Sequence, residues 1–133
     1  MARSRILPLA LLVLEAPFAA AHGEVYTYGQ IPPAIRAQFE ALAGPFDTVD
    51  AVHDTEMGHD TFQLTARSGE RMHSAIFAFD GSLLVEQVDV EAATLPAAVF
   101  DALERGHLGA RVLAAQRVTN FVTEPDHVAY RLT

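Results

Sequence analysis

The amino-acid sequence predicts an α+β domain in which an antiparallel sheet of about six strands carries two short helices on one face. Three observations lead to this fold class. Two proline-started amphipathic segments recur along the chain, each is followed by β-rich sequence, and an Asp-Gly pair separates two further β-rich runs. The predicted order is helix, four strands, helix and two strands, which amounts to one and a half copies of a helix–sheet repeat.

The first 21 residues are predicted to be a signal peptide rather than part of the fold. A basic start precedes an apolar run over residues 6–14, and Ala19 and Ala21 satisfy the small-x-small rule for cleavage before His22. The apolar run is far shorter than the roughly 20 residues of a membrane span. We therefore expect a periplasmic protein without a membrane span after cleavage; an uncleaved tether is the alternative.

Composition narrows the function classes. The net charge is −8, which disfavours nucleic acid and anionic lipid as partners because both are negatively charged. The chain has no cysteine, which excludes disulfides, thiol catalysis and thiolate metal sites. An N-terminal segment over residues 22–30 and one α+β domain over residues 31–133 are expected, with ordinary packing as the source of stability.

The two predicted helices begin in similar sequences. IPPAIRAQFEAL aligns with LPAAVFDALERG, and proline near each start suits the first turn of a helix. Apolar residues recur at i, i+4 and i+8 in both segments and form one stripe on each helix. The stripe residues are Ile31, Ile35 and Phe39 in the first helix and Leu95, Val99 and Leu103 in the second.

The β-rich runs after the two helices end alike, in TFQLT and AYRLT. Only the first run continues, and Asp80-Gly81 at its centre predicts a hairpin. Phe77 and Phe79 are in phase, so we expect both to pack against the stripes of both helices. Alternation along the first hairpin strand separates Ala75, Phe77 and Phe79 on the core face from Ile76 and Ala78 on the other.

The order of these elements resembles the PepSY-like family, a group of β-lactamase-inhibitor-like periplasmic proteins. The motifs that carry the resemblance are FAFDGSLL, LPAAVFDALERGHLGARVLAAQRV and the terminal HVAYRLT, and the likeness extends over residues 32–133. It implies an exported α+β domain that binds rather than catalyses. Related PepSY modules in the propeptides of thermolysin-type peptidases imply an inhibitory role, and the family brings no catalytic residue to this chain.

The sheet face away from the helices is the predicted binding surface. Ile76 is β-branched and lies beside the small Ala78 and one member of the Leu83–Leu84 pair. Together these residues make a shallow apolar strip with a polar border, as in many protein interfaces. The expected partner is a protein of the cell envelope, such as a peptidase or another enzyme that the chain inhibits or modulates. The predicted partner-binding residues are Ile76, Ala78, Gln63, Thr65 and Arg131.

A competing hypothesis is a divalent-metal sensor or carrier built on the stretch VHDTEMGHD. If one strand ends at His53 and the next begins at His59, the two imidazoles face each other across a five-residue loop. Imidazole and carboxylate ligands together suit Zn²⁺, Ni²⁺ or Cu²⁺. A solvated turn has the same composition, so no cofactor is required. The ligand candidates are His53, Asp54, Glu56, His59 and Asp60, with His22 of a mature N-terminus as a separate copper ligand.

Catalytic motifs are absent from the sequence, which contains no G-x-S-x-G, no H-E-x-x-H and no glycine-rich phosphate loop. Glu40 and Glu104 recur in the two helices, but each follows the apolar stripe by one position, where a solvated surface is expected. His73, His107 and His127 are isolated in the sequence and are expected on strand or loop surfaces. The sequence therefore predicts binding rather than enzymatic activity.

Overall fold

A computed structural model provides the fold and describes residues 10–12, 23–56, 59–107, 109, 111–122 and 127–133. The α+β class is confirmed, with a mostly antiparallel sheet and two helices. Short 3-10 turns lie just before each helix, at Tyr28–Gln30 and Ala92–Thr94. The elements are β1 (Ala10–Leu12), β2 (Glu24–Tyr26), α1 (Pro33–Ala43), β3 (Thr48–Glu56), β4 (His59–Ser68), β5 (Arg71–Ala78), β6 (Leu83–Val90), α2 (Ala97–Gly106), β7 (Ala115–Asn120) and β8 (His127–Leu132).

Seven strands, β2 to β8, follow one another across the sheet in chain order, and each is antiparallel to its neighbour. At the far edge β1 joins β8 in parallel. The predicted set of six strands is therefore wrong, because it lacked β1 and β2. Each of these has three residues, which is too short for an alternating pattern to be recognised.

The structure describes only part of the predicted signal peptide and N-terminal segment. β1 lies inside the predicted signal peptide, and β2 lies in the predicted N-terminal segment. The other residues of 1–21, and His22, lie outside the described residues. The signal peptide and its cleavage before His22 therefore stay predictions.

Helix α1 is defined by its two ends and one buried stripe. It begins at Pro33 and ends before Gly44, whose φ of 67° suits a residue without a Cβ and whose N–H bonds to the Glu40 carbonyl at 3.0 Å. Ile35 and Phe39 are fully buried, as the stripe predicted. Their core cluster, completed by residues of β3, β4 and β5, contains Ile31, Ile35, Phe39, Ala51, Phe62, Leu64, Ala66, Ala75 and Phe77.

Helix α2 has a separate and smaller core. Pro96 precedes it, Val99 is fully buried and Leu103 is partly buried. The predicted common core, in which Phe77 also meets the stripe of the second helix, is wrong. Because α2 lies in the connection between β6 and β7, it packs over that half of the sheet. Its cluster contains Leu95, Val99, Ala115 and Leu132.

The central hairpin contains the predicted Asp-Gly turn and an unpredicted irregularity. Gly81 has a φ of 93°, and the Ser82 N–H donates to the Asp80 carboxylate at 2.9 Å. Phe77 is fully buried as predicted, but Phe79 is 66% exposed because β5 ends one residue earlier. A β-bulge moves the partner on β6 from Val85, opposite Ile76, to Leu83, opposite Phe77. Leu83 and Val85 therefore lie on opposite faces of the sheet, although they are two residues apart.

Candidate partner-binding face

The five predicted partner-binding residues lie on one face of the sheet, which we call the open face. Strand pairing sets Gln63 opposite Ile76, Thr65 opposite Ser74, and Ala78 opposite Thr61. Alternation across β6 and β7 brings Arg131 of β8 to the same face. The five side chains are half-buried, so each remains accessible to a ligand. The structure thus brings together all five residues.

An apolar row crosses the open face from its β2 edge. Val25 pairs with Val52, Val52 with Gln63, Gln63 with Ile76, and Ile76 with Val85. Val25 is 80% exposed. The sequence prediction contained Ile76 and Gln63 but missed the three valines, and it placed a leucine where Val85 lies. Alternation within β3 would have found Val52, whereas Val85 depends on the bulge.

A hydrogen-bonded polar network lies beside the apolar row. The hydroxyls of Thr65 and Ser74 are 2.9 Å apart. Gln87 donates to Gln116 at 2.7 Å, and Gln116 donates in turn to the Asp89 carboxylate at 2.9 Å. Ser74 and Gln87 are only 3% and 2% exposed. Because buried amides that are fully hydrogen-bonded hold one orientation, this network gives the open face a preorganised polar border.

The network extends to β8, where the open face contains a small cavity. Arg131 donates to the side-chain oxygen of Gln87 at 3.4 Å. The cavity has a volume of about 160 Å³ and a mostly apolar wall, with one cationic neighbour and three neighbours that carry a polar group. Its lining residues are Val118, Asn120, His127, Ala129, Tyr130 and Arg131. This arrangement suits a small apolar side chain next to a hydrogen-bonding group.

The acidic hairpin has a different register from the predicted one. β3 continues to Glu56, so Glu56 is paired with His59 while His53 is paired with Phe62. The predicted facing of His53 and His59 is therefore wrong. The His53 ring instead packs between Tyr26 and Phe62, with both centroid distances at 5.2 Å. It also shares a hydrogen bond of 3.2 Å with Asp60.

The metal-ligand candidates are divided by this register. His53 and Asp60 come together, but Asp54 follows His53 on the strand and points to the opposite face. The side chains of Glu56 and His59, and all of His22, lie outside the described residues. Within the part of the chain that the structure describes, no three His, Asp or Glu side chains form a group able to hold a metal ion.

A His–Glu pair that the sequence did not predict lies on the core side of the sheet. His73 shares a 2.7 Å hydrogen bond with Glu86, and the two side chains are 17% and 13% exposed. The prediction of His73 as an isolated surface residue is wrong, because β5 and β6 bring two distant residues together. Imidazole held by a carboxylate is the orienting half of a catalytic triad. Here the His73 ring packs edge-on against Phe39, which ties it to the core.

Two electrostatic shifts occur away from the open face. Burial, helped by a hydrogen bond to Glu40, raises the pKa of Tyr28 to about 12. Hydrogen bonds from Ser82 lower the pKa of the exposed Asp80 carboxyl, which stabilises the central turn. Neither group borders the apolar row. Both shifts therefore concern the fold rather than the candidate site.

Comparisons with protein-family models, with curated proteins and with solved structures find no match to the chain. The resemblance to the PepSY-like family therefore stays a prediction carried by the sequence motifs. None of the helices in the described ranges is both long and apolar enough to cross a membrane.

Proposed function

We propose that the protein is an exported, periplasmic binding protein of the PepSY-like kind. It recognises an envelope protein, such as a peptidase or another enzyme that it inhibits or modulates, through the open face of its sheet. In this proposal both helices cover the other face. Support comes from the strand register, which gives Ala115 and Leu132 of the second core the same phase as Ala75 of the first.

The observation that carries the proposal is the apolar row beside its hydrogen-bonded border. Val25, Val52, Ile76 and Val85 lie in register across the five neighbouring strands β2 to β6, with Gln63 of β4 between Val52 and Ile76. Protein interfaces combine an apolar centre with a polar rim, and a rim that is already ordered loses little conformational entropy on binding. The described side chains offer no comparable constellation for catalysis, so a binding role uses these residues best.

The test is the substitution Ile76→Asp, with Phe100→Asp as the matched control on α2, where Phe100 is 38% exposed. A photoreactive residue at position 63, beside Ile76, identifies the partner by cross-linking in the periplasm, and the purified partner is then titrated calorimetrically. Ile76→Asp should abolish binding because it buries a charge in the apolar row. The free energy of unfolding should change by less than about 1 kcal/mol.

Either of two outcomes rejects the open face. If Ile76→Asp unfolds the protein, the side chain belongs to a core. If it binds the partner as well as Phe100→Asp does, the partner uses another surface. Export is tested separately by the intact mass of the periplasmic protein, which should begin at His22.

The alternative function is divalent-metal sensing or transport by the hairpin, and the specific observation in its favour is the 3.2 Å contact between His53 and Asp60. We expect calorimetric titration with Zn²⁺, Ni²⁺ or Cu²⁺ to give no binding tighter than micromolar. Submicromolar binding that disappears in the His53→Ala, His59→Ala double variant would favour the metal function. Tight copper binding that survives in that variant would implicate His22.

A further inference from the structure

The two edge strands of the sheet are equally short, and each leaves part of a longer strand unpaired. β2 pairs with three of the nine residues of β3, and β1 pairs with only Ala129 to Arg131 of the six residues of β8. A long strand edge is a template for the addition of another strand, and natural proteins blunt such edges with short strands, proline or lysine. β8 contains neither proline nor lysine. β1 is itself an example of a strand added at this edge, because it pairs in parallel with β8.

Alternate residues of β8 direct their backbone groups toward β1. Thr133 and Ala114 exchange two backbone hydrogen bonds, at 3.0 and 3.2 Å, so Thr133 faces β7. Successive residues of a strand point their N–H and C=O groups to opposite sides. Val128, Tyr130 and Leu132 consequently face the outer edge. Three donors and three acceptors are thus arranged for a strand at the position of β1.

Side-chain recognition is available on both sides of this edge. The cavity of about 160 Å³ on the open face borders β8, and α2 lies close to β1. Paired residues of a parallel ladder point to the same face, so peptide residues opposite Ala129 and Arg131 would point to the face with the cavity. Proteins that bind peptides by strand addition obtain affinity from the backbone and specificity from such pockets.

We propose that the β8 edge is a strand-acceptor site. Residues Ala10–Leu12 occupy it within the chain, and when they are withdrawn it binds an extended apolar peptide of a partner protein, parallel to β8. The Ala-Leu-Leu sequence of β1 defines the class of peptide. A second copy is a poorer occupant, because two β8 edges related by a twofold axis pair antiparallel and copies with a net charge of −8 repel each other.

This proposal is independent of the open-face function, although the two surfaces meet at Arg131. If export removes residues 1–21 as proposed, it also removes the internal occupant, and the acceptor site opens only in the processed protein. Withdrawal of an intramolecular segment is thus the regulatory step. The substitution Leu12→Pro produces the same withdrawal in the full chain, because Tyr130 faces β1 and is paired with Leu11, so the N–H that bonds to the Tyr130 carbonyl is that of Leu12, which proline lacks.

The experiment measures fluorescence anisotropy of a labelled synthetic peptide of residues 7–15, carrying a polar solubilising tail. The full chain with Leu12→Pro should bind it. The unsubstituted full chain should bind at least about tenfold more weakly, because its own segment competes at high effective concentration. The control peptide carries Leu11→Asp and Leu12→Asp and should not bind.

A second pair of variants, both made in the Leu12→Pro chain, tests the backbone contact. Tyr130→Pro removes an outward N–H and should abolish binding, whereas Tyr130→Ala removes the ring, keeps the N–H and should retain binding. If Tyr130→Pro does not fold, peptide-induced protection of the Val128, Tyr130 and Leu132 amides from hydrogen exchange decides instead. Absence of peptide binding, lack of that protection, or a dimer of the Leu12→Pro chain in light scattering that excludes the peptide would each overturn the proposal.

Discussion

The two halves of the sheet are covered by similar helices but packed differently. The first half, α1 over β3 to β5, buries three phenylalanines and several large aliphatic residues, whereas the second half, α2 over β6 to β8, relies on smaller ones. Exposed large apolar residues lie in both halves, with Leu42 38% and Phe79 66% exposed in the first and Phe100 38% and Leu113 68% exposed in the second, so the difference lies in the buried side chains. Among the described residues, the largest fully buried side chains are Phe39, Phe77, Ile31, Ile35 and Leu64 in the first half and Val99 in the second.

This difference indicates where rigidity and adaptability are located. Hydrophobic stabilisation scales with the apolar area that is buried, at about 25 cal/mol per Å². The first half therefore holds most of the stabilising area, and regions with few buried apolar contacts open at lower free energy. The proposed acceptor edge lies in the second half. A site that must release one strand and accept another is better served by this more loosely packed half.

The largest expected effect contrasts the two cores directly. Phe39→Ala should lower the free energy of unfolding by about 3–5 kcal/mol, because it leaves a large cavity among close-packed side chains. Val99→Ala removes only two methyl groups and should cost about 2 kcal/mol. Urea denaturation followed by circular dichroism measures both values. Equal losses in the two variants would show that the halves are packed equally well.

Several residues of the two cores, but not the separation of the cores, could be predicted from periodicity alone. The i, i+4, i+8 stripes located Ile35, Phe39 and Val99, and strict alternation located Phe77, because these residues lie inside regular elements. The predicted burial of Phe79 was wrong because the strand ends one residue before it, and strand ends depend on turn geometry and not on hydrophobicity. The strands β1 and β2 were not predicted, because each has only three residues and pairs with a strand that is distant in the sequence.

In the candidate site, too, the residues inside regular strands could be predicted and those that depend on strand register could not. Ile76, Ala78, Gln63 and Thr65 are on the open face because alternation holds through β4 and β5. The hairpin prediction failed because a longer β3 changed the register, and one change of register alters every pair along a hairpin. The pair formed by His73 and Glu86 could not be predicted, since it joins two strands through a bulged hairpin whose register the sequence does not reveal.

An intermediate effect is expected at the seam between the halves. His73 on β5 contacts Phe39 of the first core and is hydrogen-bonded to Glu86 on β6. Glu86→Ala leaves the half-buried imidazole without this partner and should cost about 1–3 kcal/mol. Glu86→Gln keeps an acceptor and is the matched control, with a smaller loss. A loss as large in the control would mean that the charge of Glu86, and not the hydrogen bond, matters.

The smallest expected effect concerns Tyr28, which packs beside the first core. Its hydroxyl donates to the Glu40 carboxylate at 3.0 Å, and the pKa of Tyr28 is raised to about 12, first by burial and then by Glu40. Because the folded pKa lies above the unfolded value of about 10, this contribution to stability is complete below pH 10 and is lost as the pH rises toward 12.

The decisive variant is Glu40→Gln, which removes the charge but keeps the length of the side chain. The pKa of Tyr28 should then fall toward its ordinary value, because two of the three causes that raise it involve Glu40. Ultraviolet absorbance of tyrosinate measures this titration against the other two tyrosines, and a chain without lysine has few other groups that ionise near pH 10. Unchanged titration in the variant would leave burial alone as the cause. The first half would then owe this shift to its packing, and the charge of Glu40 would contribute nothing to it.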